Sequence, residues 1–146
     1  ESCTFLGNTS VDYTSDAILN SDSQLSLENS ILRGSDTQIL HSGAGETTAG
    51  YSDVQGAAFA GSDGNIDSAP LFVDTDVTGG FDLRLQSTSP CIDTGYTGGL
   101  PLDVADLDGD LDTAEALPWD LDGETRFADG PDGDSTATVD MGAYEY

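Results

Sequence analysis

The chain has 146 residues and carries 28 acidic groups against three arginines and no lysine, a formal net charge of -25. Arg33, Arg84 and Arg126 cannot assemble the cationic stripe that neutralises phosphates, which argues against nucleic acid as a partner and disfavours anionic membrane surfaces. No stretch approaches the roughly 20 apolar residues of a membrane span, so no membrane insertion is expected, and no basic start precedes a hydrophobic run of the signal-peptide kind.

The first residue is Glu1, which reads as the start of a processed protein or of a piece of a longer one. One domain is expected at this length, and 22 Asp against 6 Glu point to turns and caps rather than helix interiors. Thin hydrophobicity with high charge is also the signature of disorder. The strand-sized patterns that recur through residues 1–95 argue against that reading there.

In chain order, apolar clusters fall at Thr4-Phe5-Leu6, Ala17-Ile18-Leu19, Leu25-Ser26-Leu27, Ser30-Ile31-Leu32 and Gln38-Ile39-Leu40, separated by Gly, Asn, Ser or Asp. They are too short for helices. Phe5-Leu6-Gly7, Ile31-Leu32-Arg33-Gly34 and Asp53-Val54-Gln55-Gly56 each end an apolar strand on a glycine, at intervals of 27 and 22 residues. A period in the low twenties matches one coil of a β-solenoid, whose parallel strands stack at about 4.8 Å and need only a few inward residues per coil. Asn29 sits where an inward or turn asparagine stacks along such an axis. Periodicity alone weighs this evenly against an antiparallel β-sandwich.

Further landmarks follow: Gly64-Asn65-Ile66-Asp67-Ser68-Ala69-Pro70-Leu71-Phe72-Val73-Asp74, Phe81-Asp82-Leu83-Arg84-Leu85, Ser89-Pro90-Cys91-Ile92-Asp93-Thr94-Gly95, and the closing Asp120-Leu121-Asp122-Gly123-Glu124-Thr125-Arg126 and Val139-Asp140-Met141-Gly142-Ala143-Tyr144-Glu145. Together with the Asn29–Gly34 and Tyr51–Gly56 segments, this order resembles secreted bacterial right-handed parallel β-helix surface proteins of the choice-of-anchor type. The resemblance implies an all-β fold: a short right-handed parallel β-helix of about three coils over residues 1–95, then a loop-rich cap over 96–146, packed on the last coil as part of the same domain; the carboxylates described next make that cap the expected calcium-binding part. It implies a secreted or cell-surface location. Such a short stack leaves open edges, so the strand near Thr4-Phe5-Leu6 is expected to dock further coils or another copy.

Between Asp103 and Asp140 lie 13 carboxylates in 38 residues, with 15 in the other 108. A halophilic surface would spread its acids over the whole exterior, so the clustering favours a bound cation. Two carboxylates 4 Å apart repel by about 1 kcal/mol even in water. The sharpest segment is Asp106-Leu107-Asp108-Gly109-Asp110-Leu111-Asp112 with Glu115, which offers oxygens at alternate positions around a turn glycine and suits Ca2+. Set on an EF-hand loop by Gly109, these acids occupy its third, fifth, seventh, ninth and twelfth positions, but Val104 stands at the first and cannot ligate; Asp103 is the candidate replacement. Asp120 and Asp122 repeat the chemistry more weakly, as does Asp129-Gly130-Pro131-Asp132-Gly133-Asp134. Solvated Asp-Gly turns are the competing reading for every one of these loops. Leu117, Trp119, Phe127, Met141 and Tyr144 are expected to cover the coil end.

No complete catalytic constellation is present. A β-helix lyase needs a Lys or Arg base, a hydrolase paired acids in its family's motifs, and a triad a partner for the lone His41. Arg33 reads as a surface structural residue. Cys3 and Cys91 read as two buried, unbridged thiols. The expected function is a non-catalytic extracellular structural or adhesive module, stabilised by calcium and able to join end to end into filaments, with polysaccharide a candidate partner. The alternative is the C-terminal part of a carbohydrate-active β-helix enzyme whose catalytic coils lie upstream.

Overall fold

The computed structural model describes residues 1–9, 17–34, 37–56, 58–76, 78–131 and 133–146. It is all-β in small sheets. The strands are β1 (Thr4–Leu6), β2 (Ile18–Ser21), β3 (Gln24–Glu28), β4 (Ile31–Arg33), β5 (Ile39–Ser42), β6 (Glu46–Gly50), β7 (Asp53–Val54), β8 (Phe72–Asp74) and β9 (Asp82–Leu85). A single 3-10 turn at Thr97–Gly99 is the one helical element among the described residues. No helix there is long and apolar enough to cross a membrane.

The apolar clusters seen in the sequence become parallel strands. β1 pairs with β4 (Phe5 opposite Leu32) and β4 with β7 (Ile31 opposite Asp53), offsets that reproduce the glycine-ended repeat. β2 pairs with β5 (Ile18 opposite Ile39), and β3 with β6 (Gln24 opposite Glu46). β1, β2 and β3 thus lie alongside β4, β5 and β6 in the same order and direction. These three sheets stay separate, and the described strands do not close into one solenoid wall.

The corners between strands set this register. Ser2, Asn29 and Tyr51 all adopt left-handed backbone, with φ of 48°, 51° and 48°. Their amides donate to the neighbouring rung: Ser2 N to Glu28 O, Asn29 N to Gly50 O and Tyr51 N to Asp63 O. One residue later a side chain takes over as acceptor. Ser30 Oγ accepts from Cys3 N (3.3 Å), Ser52 Oγ from Ser30 N (3.1 Å) and Asn65 Oδ1 from Ser52 N (3.0 Å).

β4 is buried on both faces because alternate side chains feed two cores. Leu32 joins Leu27, Ala49 and Val54 between the three parallel sheets, with Phe5, Ile18, Leu25 and Ile39 packed around them. Ile31, on the opposite face, joins Phe72, Leu85, Cys91, Ile92 and Met141. Fully burying each of these aliphatic side chains contributes about 1.5–3 kcal/mol.

The chain beyond residue 66 departs from a further coil. β8 and β9 pair antiparallel with a bulge. Only residues 75–81 connect them, enough for a hairpin but short of the dozen or more that a parallel crossover requires. The C-terminal segment then lies across the flank of the β1–β4–β7 sheet instead of over the end of the stack. Gly95 N donates to Val139 O, Met141 N to Cys91 O and Gly142 N to Asn29 O, while Ala143 N reaches Thr4 Oγ1. Gly95 permits this approach, since a Cβ there would stand 2.6 Å from Val139 O. Met141 is fully buried, but in the flank cluster with Ile31 and Cys91, while Trp119 and Phe127 remain exposed.

Two further expectations are corrected. Arg33 is buried: Nε donates to Asp53 Oδ2 (3.1 Å) and Nη1 to Asp67 Oδ1 (2.6 Å). Asp53 and Asp67 stand on the next rungs, and desolvation of the arginine is repaid by their two carboxylates. Both thiols are free, but only Cys91 is buried; Cys3 is exposed beside β1, the edge strand of its sheet among the described residues.

Replacing Ser52 with Ala leaves the buried Ser30 amide without its acceptor. The expected loss is about 1–3 kcal/mol of unfolding free energy, the cost of one orphaned buried donor, read from urea denaturation. An unchanged midpoint would show that the corner ladder does not fix the register.

Candidate metal centre

After the Thr97–Gly99 turn the chain forms a narrow neck. Leu102 and Ala116 make an antiparallel bridge, Asp103 N donates to Glu115 O (2.9 Å), and Leu117 N donates to Pro101 O (2.8 Å). The acidic loop 104–114 stands on that neck.

Inside the loop, aspartates hold the backbone through the turn chemistry that favours this residue type. Asp103 Oδ2 accepts from Leu107 N (2.7 Å) and Asp106 Oδ1 from Leu111 N (3.0 Å). Asp108, Asp110 and Asp112 each accept, through Oδ1, from the amide two residues ahead, at 3.2, 2.7 and 2.9 Å. Gly109 supplies the left-handed position (φ 79°) at the tip.

Two groups of carboxylates converge. Asp103, Asp108 and Glu115 bring one oxygen each within 4.8 Å of one another, as do Asp106, Asp108 and Asp110, so either group could hold a metal ion. The first runs from a buried residue to a half-buried and an exposed one, and it contains two buried oxygens without hydrogen-bond partners, Asp103 Oδ1 and Glu115 Oε1. Desolvation, then the negative charges of Asp108, Asp110, Asp112 and Asp103, push the Glu115 carboxyl above its ordinary range. A hard cation bound between these carboxylates would cancel their repulsion and could meet the oxygens that lack partners.

Among the described residues the remaining candidates fall outside both groups. Asp112 is spent on the Ala114 amide and joins neither group. Asp120 is buried, its Oδ1 accepting from Asp122 N and Glu124 N and its Oδ2 from Glu145 N, which makes it a turn residue with no free face for a metal. Asp122 joins no metal-sized group. Asp132, in the last acidic turn, lies outside the described residues.

Sequence reasoning missed a second charged cluster. Arg126 Nη1 donates to Glu145 Oε1 (3.1 Å), both side chains being buried. Glu145 Oε2 accepts from Asp140 N, while Asp140 accepts from Asp93 N and Tyr146 N. Burial pushes Asp140 up to about 7; burial, then the Asp140 charge, pushes Glu145 up to about 8. One guanidinium thus faces two buried carboxyls, and burial holds both above their ordinary range. The lone arginine in the acidic third was the available signal, since a buried guanidinium recruits carboxylates.

No protein-family model, no curated protein and no solved structure matches the chain.

Because the folded values for Asp140 and Glu145 lie above the unfolded ones, the native state binds more protons. Their contribution to stability is complete below the unfolded carboxylate range and is lost as pH rises through 7 and 8. In chelator, the melting temperature is expected to fall from about pH 5 to about pH 8 and to level off above that, and Glu145→Gln to flatten the fall. A wild-type melting temperature that rises across this window contradicts the assignment.

Proposed function

We propose that the chain is a non-catalytic extracellular structural or adhesive module: a short right-handed parallel β-helix whose acidic C-terminal region binds calcium. The observation that carries this reading is the parallel register of three consecutive strands, β1, β2 and β3, alongside β4, β5 and β6. A chain laid down in coils of a little over twenty residues produces that order. The choice-of-anchor resemblance supplies the secreted, cell-surface setting.

Calcium is the cation that suits the loop. Both groups are made of carboxylates alone, without the imidazole or thiolate that selects zinc or copper, and oxygen ligands completed by water suit calcium. A structural role agrees with the buried groups. The Cys91 thiol is pushed up to about 12 by burial and by the neighbouring Asp53 charge, so it holds its proton and is a poor nucleophile. In this reading the outer edge of β1, β2 and β3 meets neighbouring coils, and end-to-end joining of modules is its use.

Calcium in hundredfold excess over its Kd is expected to add about 2.7 kcal/mol, visible as a higher melting temperature than in chelator. Chelation should also open residues 103–140 to proteases while the parallel strands stay protected. Asp108→Asn, which touches both carboxylate groups, should weaken calcium binding with β1 to β7 still formed. Equal melting temperatures in calcium and in chelator would refute the calcium part of the proposal.

A further inference from the structure

We propose that one divalent cation clamps the neck of the acidic loop through Asp103, Asp108 and Glu115, while Asp106, Asp110 and Asp112 shape the loop and are dispensable as ligands. This rests on the calcium reading and specifies its site. It departs from the EF-hand-like spacing in the sequence, in which alternate aspartates around Gly109 share the ion.

The first argument is the state of Asp103. Its side chain has no exposure, one oxygen is anchored by the Leu107 amide, and Oδ1 has no partner among the described residues. An ionised carboxylate oxygen buried in this way carries its full desolvation cost unless a positive group meets it. Glu115, half-buried, also has a buried oxygen without a partner, Oε1, and Asp103, Asp108 and Glu115 each bring one carboxylate oxygen within 4.8 Å of the others. The arginines are engaged elsewhere: Arg33 with Asp53 and Asp67, Arg84 with Asp82, and Arg126 with Glu145.

The second argument is position. Asp103 and Glu115 sit at the two ends of the loop, joined by the Asp103 N to Glu115 O hydrogen bond and next to the Leu102–Ala116 bridge. A cation between their side chains crosslinks the neck where its backbone is already paired, and closes the eleven residues 104–114 as a ring. Asp106, Asp110 and Asp112 lie out on that ring, away from the paired neck and outside the group that contains the buried Asp103. Three oxygen ligands leave coordination positions for water, as calcium tolerates.

The test is calorimetric titration of the full chain with calcium chloride, with melting curves in calcium and in chelator. Asp103→Asn and Glu115→Gln are each expected to weaken binding by at least about tenfold, the scale on which metal sites respond even to second-shell losses. Asp106→Asn, Asp110→Asn and Asp112→Asn are expected to change it less than threefold, on the order of an ordinary surface substitution. In chelator Asp103→Asn should melt no lower than wild type, because the unmet buried charge is gone; in calcium it should melt lower. If Asp103→Asn fails to fold, Glu115→Gln at the half-buried mouth decides the matter. Calcium binding that survives both neck substitutions, or that disappears with Asp106→Asn or Asp110→Asn, overturns the neck clamp and leaves the calcium reading standing. No calcium binding by the wild-type chain overturns both.

Discussion

Each corner of the parallel stack buries backbone amides that must find acceptors on the neighbouring rung, and the other features of the fold follow from how they do so. The left-handed residue at Ser2, Asn29 and Tyr51 turns the chain and aims its amide at the next rung's carbonyl. The following amide is met by the side chains of Ser30, Ser52 and Asn65 in succession. Ser30 and Ser52 then donate back to Glu28 O and Gly50 O, and Asn65 Nδ2 to Ala49 O, so the corner is satisfied in both directions. A slip of one residue would leave these groups unpaired and exchange the faces of β4. Register is therefore fixed by polar groups at the corners, and the thin apolar core needs only to fill the space between.

The same corner fastens the C-terminal half. The Asn29 side chain brackets Tyr96, accepting from its amide (2.6 Å) and donating to its carbonyl (3.1 Å), and the Asn29 carbonyl accepts from Gly142. Tyr51, one coil on, stacks its ring on Tyr96 at 5.0 Å. Residues 67 and more apart in sequence are thus tied to a position whose conformation the stack already dictates. Beneath this contact Ile31 meets Cys91, Ile92 and Met141, so one apolar cluster spans both halves of the chain. The flank of the β1–β4–β7 sheet is a core surface, which explains why β4 is apolar or ion-paired at each position and not alternately polar.

The parts of this arrangement legible in the sequence are those with local causes. Gly7, Gly34 and Gly56 mark offsets of 27 and 22, and the same offsets appear as the pairings of Phe5 with Leu32 and Ile31 with Asp53. The acidic loop was legible as a concentration of carboxylates. What could not be read is how each aspartate divides its two oxygens: Asp120 looks like a ligand by spacing, yet amides take both its oxygens, whereas Asp103 looks like a spare and keeps one buried oxygen without a partner. The path of residues 90–96 and 139–146 along the sheet was likewise hidden, since it depends on contacts across most of the chain that leave no periodic trace. Arg33 was misread for the same reason, its partners Asp53 and Asp67 standing 20 and 34 residues away.

Charge distribution connects the fold to the acidic loop. Against 28 acids the chain has three arginines, and the structure places two of them inside, Arg33 under the first half and Arg126 under the second. Arg33 neutralises the buried Asp53 and reaches the exposed Asp67, Arg126 neutralises the buried Glu145, and Arg84 is held by Asp82 two residues away. Protein cations are thereby consumed where the chain must bury charge in order to close its own core, and the exposed acids are left to solvent, where repulsion is weak and screened by salt. The neck at Asp103 and Glu115 belongs to neither regime. Asp103 is buried and Glu115 half-buried, each with an oxygen that no described residue meets, and the arginines are paired elsewhere, so a cation from outside would supply the positive charge that this fold does not.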